Sequence, residues 1–130
     1  MKFLVNLKNN KMKNILIIGG SYGIGLELAK ELQTENNVFI ASRTNENLSG
    51  LVITHIPFDA TTDTIDTSIL PAVIDGFVYC PGSINLKPIS RLKLDDFRND
   101  FEINVIGAVK TIQRYLPLLE KGSKPSIVLF

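Results

Sequence analysis

The chain has 130 residues, 45% of them hydrophobic and 21% charged, which is one domain's worth of an ordinary globular protein. Its 14 Lys and Arg against 13 Asp and Glu leave a net charge of +1 with the basic residues scattered, so neither nucleic acid nor an acidic partner is indicated. A single cysteine, Cys80, and a single histidine, His55, exclude an internal disulfide and a Cys/His metal centre and fit a reducing cytoplasm, while no run approaches the ~20 apolar residues of a membrane helix.

Residues 1–12 are rich in Lys and Asn and end in a second methionine, Met12, and they read as a flexible tail or an upstream start. From residue 13 onward strand and helix patterns alternate, as in βαβ units of a parallel sheet buried on both faces. The first strand, residues 15–18, empties into a glycine cluster and then a helix from Gly23 to about Glu35. In it Ile24, Leu28 and Leu32 recur at i, i+4 and i+8 beside Ala29, so that stripe is expected to face the sheet. Strands follow at residues 38–41 and 51–56, then a short helix over residues 64–73 that Pro71 should break or end early.

A fourth strand at residues 76–80 leads to a long helix over residues 94–116. Asp95 and Asp96 offer caps and favourable charge at its start, and Phe97, Phe101, Val105, Ala108, Ile112 and Leu116 make an apolar stripe. Pro117 disrupts the pattern, and a fifth strand closes the series at residues 126–130. No repeat or linker divides the chain. The expected architecture is α/β, a Rossmann-type doubly wound parallel sheet of about five strands over residues 13–130.

Gly19, Gly20, Gly23 and Gly25 let a strand turn tightly into a helix whose N-terminal N–H groups and positive dipole end point back at the turn. A pyrophosphate placed there is bound without any lysine. The spacing is G-x-x-x-G-x-G rather than G-x-G-x-x-G, and no Walker-type Gly-Lys-Ser/Thr follows.

This loop resembles that of the short-chain dehydrogenase/reductase family, Thr-Gly-x-x-x-Gly-Ile-Gly, with Ile18 where the family has threonine. The resemblance covers residues 12–130. It implies that Gly19, Ser21, Tyr22, Gly23, Ile24 and Gly25 hold the phosphates of a nicotinamide dinucleotide. At the end of the second strand, where the family meets the adenosine ribose, Ser42 and Arg43 offer a hydroxyl and a guanidinium suited to a 2′-phosphate, which favours NADP over NAD. Tyr22 stands where many NADP-preferring relatives carry a basic residue.

Asp59 and Ala60 match the family's Asp and small residue after the third strand, where the carboxylate accepts from the adenine amino group. Tyr79-Cys80-Pro81-Gly82 stands where the family commonly has Asn-Asn-Ala-Gly, and Gly82 is the match that would pass close to the cofactor ribose. Cys80 reads as a small buried hydrophobe, since no basic neighbour lowers its pKa. Asn104, three residues after Phe101 and four before Ala108, puts an amide on the apolar stripe, where it should be hydrogen-bonded or hold water. With Gly107 it matches an Asn-x-x-Gly that supports the family's proton relay.

The family's chemistry uses a serine after the fifth strand and a Tyr-x-x-x-Lys on the next helix, the lysine lowering the tyrosine's pKa. Here Tyr22, Tyr79 and Tyr115 are followed four residues later by Leu26, Ser83 and Leu119. The resemblance therefore implies the N-terminal part of a longer oxidoreductase that reduces a carbonyl or oxidises an alcohol, homo-oligomeric as a whole and inactive as these 130 residues. A non-catalytic nucleotide-binding or regulatory module and a fragment that pairs with another chain are the alternatives. An apolar fifth strand without a neighbour would be an aggregation hazard.

Overall fold

A computed structural model of the chain describes residues 11–62 and 67–130. Five parallel strands, β1 (Lys13–Ile18), β2 (Asn36–Ser42), β3 (Ile53–Pro57), β4 (Gly76–Tyr79) and β5 (Ser126–Leu129), form one sheet in the order β3-β2-β1-β4-β5. β1 lies at the centre, and alternation along it feeds two cores, one on each face. Leu16 and Ile18 join Phe77, Tyr79, Tyr115 and Leu119 on one side, while Ile17 joins Val38, Ile40, Val78 and Ala29 on the other.

The five strands and the doubly wound architecture are those expected from the sequence. Helix α1 (Gly23–Leu32) ends earlier than expected, and its stripe is rotated. Gly25 and Ala29 are its buried residues, with Leu28 and Leu32 packed beside them, while Ile24 stands 60% exposed rather than facing the sheet. Of the short helix expected over residues 64–73, residues 64–66 lie outside the described residues. Thr67–Ile69 form a single 3-10 turn, and residues 70–73 are not helical.

The long helix forms in three parts: α2 (Leu94–Phe101), a π turn (Glu102–Ile106) and α3 (Gly107–Leu119). At its start Asp96 reaches back to accept from the Lys93 backbone N–H at 2.9 Å, whereas Asp95 pairs with exposed Arg98. Pro117 lies within the last turn without ending it; the residue whose carbonyl it leaves without a helical donor, Gln113, is exposed.

The apolar stripe expected along this helix is divided. Gly107, Ala108, Thr111, Tyr115 and Leu119 are the buried positions, and Ile112 flanks them. Phe97, Phe101, Val105 and Leu116 face outward, Phe97 and Phe101 with more than half their surface exposed. The extra residue of the π turn rotates what precedes it by about 100° relative to α3, so one continuous stripe cannot serve both halves.

Candidate functional site

A cleft of about 600 Å³ opens across the carboxyl ends of β1, β2, β3 and β4, with Phe130 at the end of β5 also lining it. In open parallel sheets ligands bind at this edge, where the strand order reverses. Gly19, Ser21 and Tyr22 of the loop after β1 and Gly23, Ile24 and Gly25 of the first turn of α1 line it. The outward turn of Ile24 is what places it there rather than in the core.

Two glycines explain the loop. At Gly25 a Cβ would lie 2.5 Å from Gly19 O and 2.9 Å from Gly20 Cα, so only a residue without a side chain lets α1 rest directly on the turn. Gly23 adopts φ 58°, which an L side chain resists, and the space beside it is open. The N-cap residue Tyr22 supplies no side-chain acceptor, and no acidic residue occupies the first turn of α1. The helix therefore presents its N-terminal N–H groups and positive dipole end at the cleft without an anionic side chain to satisfy them. An anion such as a pyrophosphate fits this cradle.

At the end of β2, Ser42 and Arg43 both line the cleft. Arg43 is exposed, but Ser42 is buried and gives its hydroxyl proton to Thr44 O at 2.8 Å. The serine hydroxyl therefore shapes the loop instead of donating to a phosphate, because its one proton is already committed. Asp59 and Ala60 line the cleft after β3. Asp59 Oδ1 accepts from Thr61 Oγ1 at 2.7 Å and Thr61 N at 2.9 Å. Those two bonds, and then the charge of Arg43, hold its carboxyl below the usual range, so it is an anion at neutral pH.

Gly82 and Cys80 complete the cleft on the β4 side. Burial pushes the Cys80 thiol up to about 11, which suits the small hydrophobe read from the sequence and not a nucleophile. Tyr79 is buried in the core; desolvation first, then the charges of Asp59 and Glu102, raise its hydroxyl to about 12.

Asn104 is not in the cleft wall, nor is it buried on an apolar stripe. It is exposed on the π turn, in line with Asp96 and Asp100 at intervals of four. Its amide accepts from Ser83 N and donates to Ser83 O, both at 2.8 Å, so it is hydrogen-bonded as expected but ties down the loop after β4. Asp100 does the same, accepting from Ser83 Oγ at 2.7 Å and from Asn85 N at 3.0 Å.

Sequence reasoning passed over Thr44, Thr61, Pro81 and Ile103, which also line the cleft. The spacings Ser42-x-Thr44 and Asp59-x-Thr61 are local turn signals that could have pointed to the first two. Among the described residues no group of three or more His, Cys, Asp and Glu could hold a metal ion, and no helix is long and apolar enough to cross a membrane.

A family model described as short chain dehydrogenase matches residues 13–130. The chain is 27% identical over 126 residues to a 1-hydroxy-2-glutathionyl-2-methyl-3-butene dehydrogenase of Rhodococcus sp. (strain AD45), covering 90% of this chain and 56% of that one. It is 31% identical over 131 residues to an uncharacterized oxidoreductase of Schizosaccharomyces pombe, covering 90% of this chain and 52% of the relative. Among solved structures, a short chain dehydrogenase of Shigella flexneri complexed with NADP superposes with a TM-score of 0.79 at 24% identity, over 90% of this chain and 57% of that one. The chain thus spans about half the length of the relatives it matches. The glycine loop, the strand order and the match over residues 13–130 agree: the chain belongs to the short-chain dehydrogenase family.

Proposed function

We propose that this chain is the nucleotide-binding part of an oxidoreductase that uses NADP(H) to reduce a small carbonyl or oxidise an alcohol. The observation that carries this reading is the convergence, in one cleft, of the glycine loop, Ser42 and Arg43, Asp59 and Ala60, and Gly82 from four separate strand ends. The family binds nicotinamide cofactors, and a bound dinucleotide supplies or accepts the hydride. In this reading the first turn of α1 takes the pyrophosphate, Asp59 accepts from the adenine amino group, and Arg43 pairs with the 2′-phosphate. Asn104 serves the proton relay by fixing the loop beside Gly82. The remaining parts of the reading are a cytoplasmic setting, since lone Cys80 asks for no oxidising compartment, and a homo-oligomeric parent, since Phe97 and Phe101 form an outward apolar face.

Proton transfer to a substrate has no candidate donor among the three tyrosines. Tyr79 is buried and donates its hydroxyl hydrogen bond to Ile103 O, Tyr115 is buried, and Tyr22 is exposed with Leu26 at the position where lysine would be needed. These 130 residues accordingly hold the dinucleotide without turning it over. That same observation supports the second reading, a nucleotide-binding module without catalysis.

Calorimetric titration with NADPH and NADH tests the proposal. NADPH should bind, and Arg43→Ala should weaken NADPH by about tenfold while leaving NADH nearly unchanged, the worth of one charge-assisted hydrogen bond. Absence of binding by either nucleotide would remove both readings. Equal losses in Arg43→Ala would remove the preference for NADP, and turnover of a carbonyl by the chain alone would overturn the claim that it only binds.

A further inference from the structure

His55 lies on β3, opposite Ile40 of β2 in the parallel register, and its ring reaches along the same face to Ser42. Nε2 is 3.2 Å from Ser42 O and 3.1 Å from Ser42 Oγ. The carbonyl oxygen can only accept, so Nε2 carries the proton and donates. Ser42 Oγ spends its own proton on Thr44 O at 2.8 Å. Thr44 Oγ1 in turn donates to Ser21 Oγ at 3.3 Å, and Asn47 Nδ2 donates to Ser21 O at 3.1 Å. A hydrogen-bonded chain therefore runs from β3, through the end of β2, to the glycine loop.

Arg43 sits between the two residues that this chain grips, Ser42 and Thr44. Its guanidinium is the exposed cation at this end of the cleft, and its backbone is fixed on both sides by bonds that begin at His55. An arginine earns selectivity for a phosphate by being held where its planar fork meets the oxygens; a mobile one gives charge attraction alone.

From this geometry we infer that His55 is a positioning residue for nucleotide discrimination: through Ser42 it fixes the turn that presents Arg43 to the 2′-substituent of the adenosine. The inference rests on the cofactor reading given above. It assigns to His55 no contact with the nucleotide; its effect passes through Ser42 and Thr44. The glycine loop shares in the effect through Ser21, so the brace sets the relative placement of the pyrophosphate and ribose ends of the cleft.

The test compares 2′,5′-ADP with 5′-AMP as ligands of the full 130-residue chain, because the two differ only in the 2′-phosphate. In the wild-type chain 2′,5′-ADP should bind more tightly. His55→Leu removes the donor and should lower the ratio of the two affinities by about tenfold, whereas His55→Gln, which keeps an N–H near the Nε2 position, should restore most of it. A general loss of structure weakens both ligands together and leaves the ratio alone. If His55→Leu does not fold, Ser42→Ala carries the test, since it breaks the same brace one step later and should lower the ratio likewise. Binding of both ligands with a ratio unmoved by either variant overturns the role of His55 while leaving the nucleotide site intact. Failure of the wild-type chain to bind either ligand overturns the cofactor reading, and the inference with it.

Discussion

The hydroxyl of Tyr79 lies beneath Gly107, where a Cβ added to the glycine would collide with it. That hydroxyl donates to Ile103 O at 2.5 Å. In an α-helix this carbonyl would belong to the N–H of Gly107, but in the π turn that N–H bonds to Glu102 O instead. The glycine, the π turn and the buried tyrosine form one device. Gly107→Ala should cost about 1–3 kcal/mol from overpacking, and Tyr79→Phe about 1 kcal/mol from the lost bond. Because the phenylalanine also makes room for the methyl group, the double variant should lose less than the sum. Urea denaturation of the four proteins gives the coupling, and strict additivity would show the pair to be independent.

The glycine loop allows a second comparison, between Gly25 and Gly23. Backbone atoms crowd the Cβ position of Gly25, and backbone cannot swing aside as a flexible side chain can. Gly25→Ala should therefore lift α1 from the turn and lower both stability and nucleotide affinity. Gly23 has open space beside it but φ 58°, so Gly23→Ala costs about 1–2 kcal/mol in backbone strain and puts its methyl group where a phosphate would approach. Thermal melting should place Gly25→Ala below Gly23→Ala. A greater stability loss in Gly23→Ala would mean that conformation, not close approach, governs the loop.

The strands and the glycine loop were legible because their signals are local, runs of β-branched residues and glycines at fixed offsets, whereas the period of α1 marked a helix but put Ile24 on the wrong face. The orientation of the long helix was not. Its register depends on a tyrosine more than twenty residues earlier competing for Ile103 O, and no helical period records that. Asn104 was recognised as an amide needing partners, but those partners, Ser83 N and O, come from a loop whose path the sequence leaves open. Likewise Ser42 was legible as a residue of the cleft edge, while its commitment to Thr44 and His55 follows from the register of β2 against β3.

The loop after β4 is held by carboxylates, so its order should depend on pH. Asp100 is held below the ordinary carboxylate range first by the Ser83 hydroxyl and then by Asn85; Asp96 is lowered first by the Lys93 N–H and then by Lys87. A depressed folded-state pKa means that these bonds stabilise the protein above the unfolded value of about 3.9, and that this contribution is lost as the pH falls below it through the folded values. Melting temperature should fall more steeply on acidification from pH 5 to 3 in the wild-type chain than in Asp100→Asn. Parallel curves would show that the strap contributes nothing to the acid transition.

The outward apolar face of α2 makes a separate claim about solution behaviour. Phe97 is 52% and Phe101 56% exposed, one turn apart on the same side of the helix, and Val105 continues the row. Rings left this far in water contribute little to the fold of these residues, yet together they form a patch that other apolar surfaces can cover. Replacing Phe97 with Lys and Phe101 with Glu should leave the melting temperature within a few degrees of the wild-type value, since surface changes away from special features shift stability by about 0.5 kcal/mol or less. The same pair should reduce concentration-dependent scattering, measured by static light scattering across a dilution series. A large drop in stability would show that the rings are anchored in the fold, and unchanged scattering would show that this face drives no self-association.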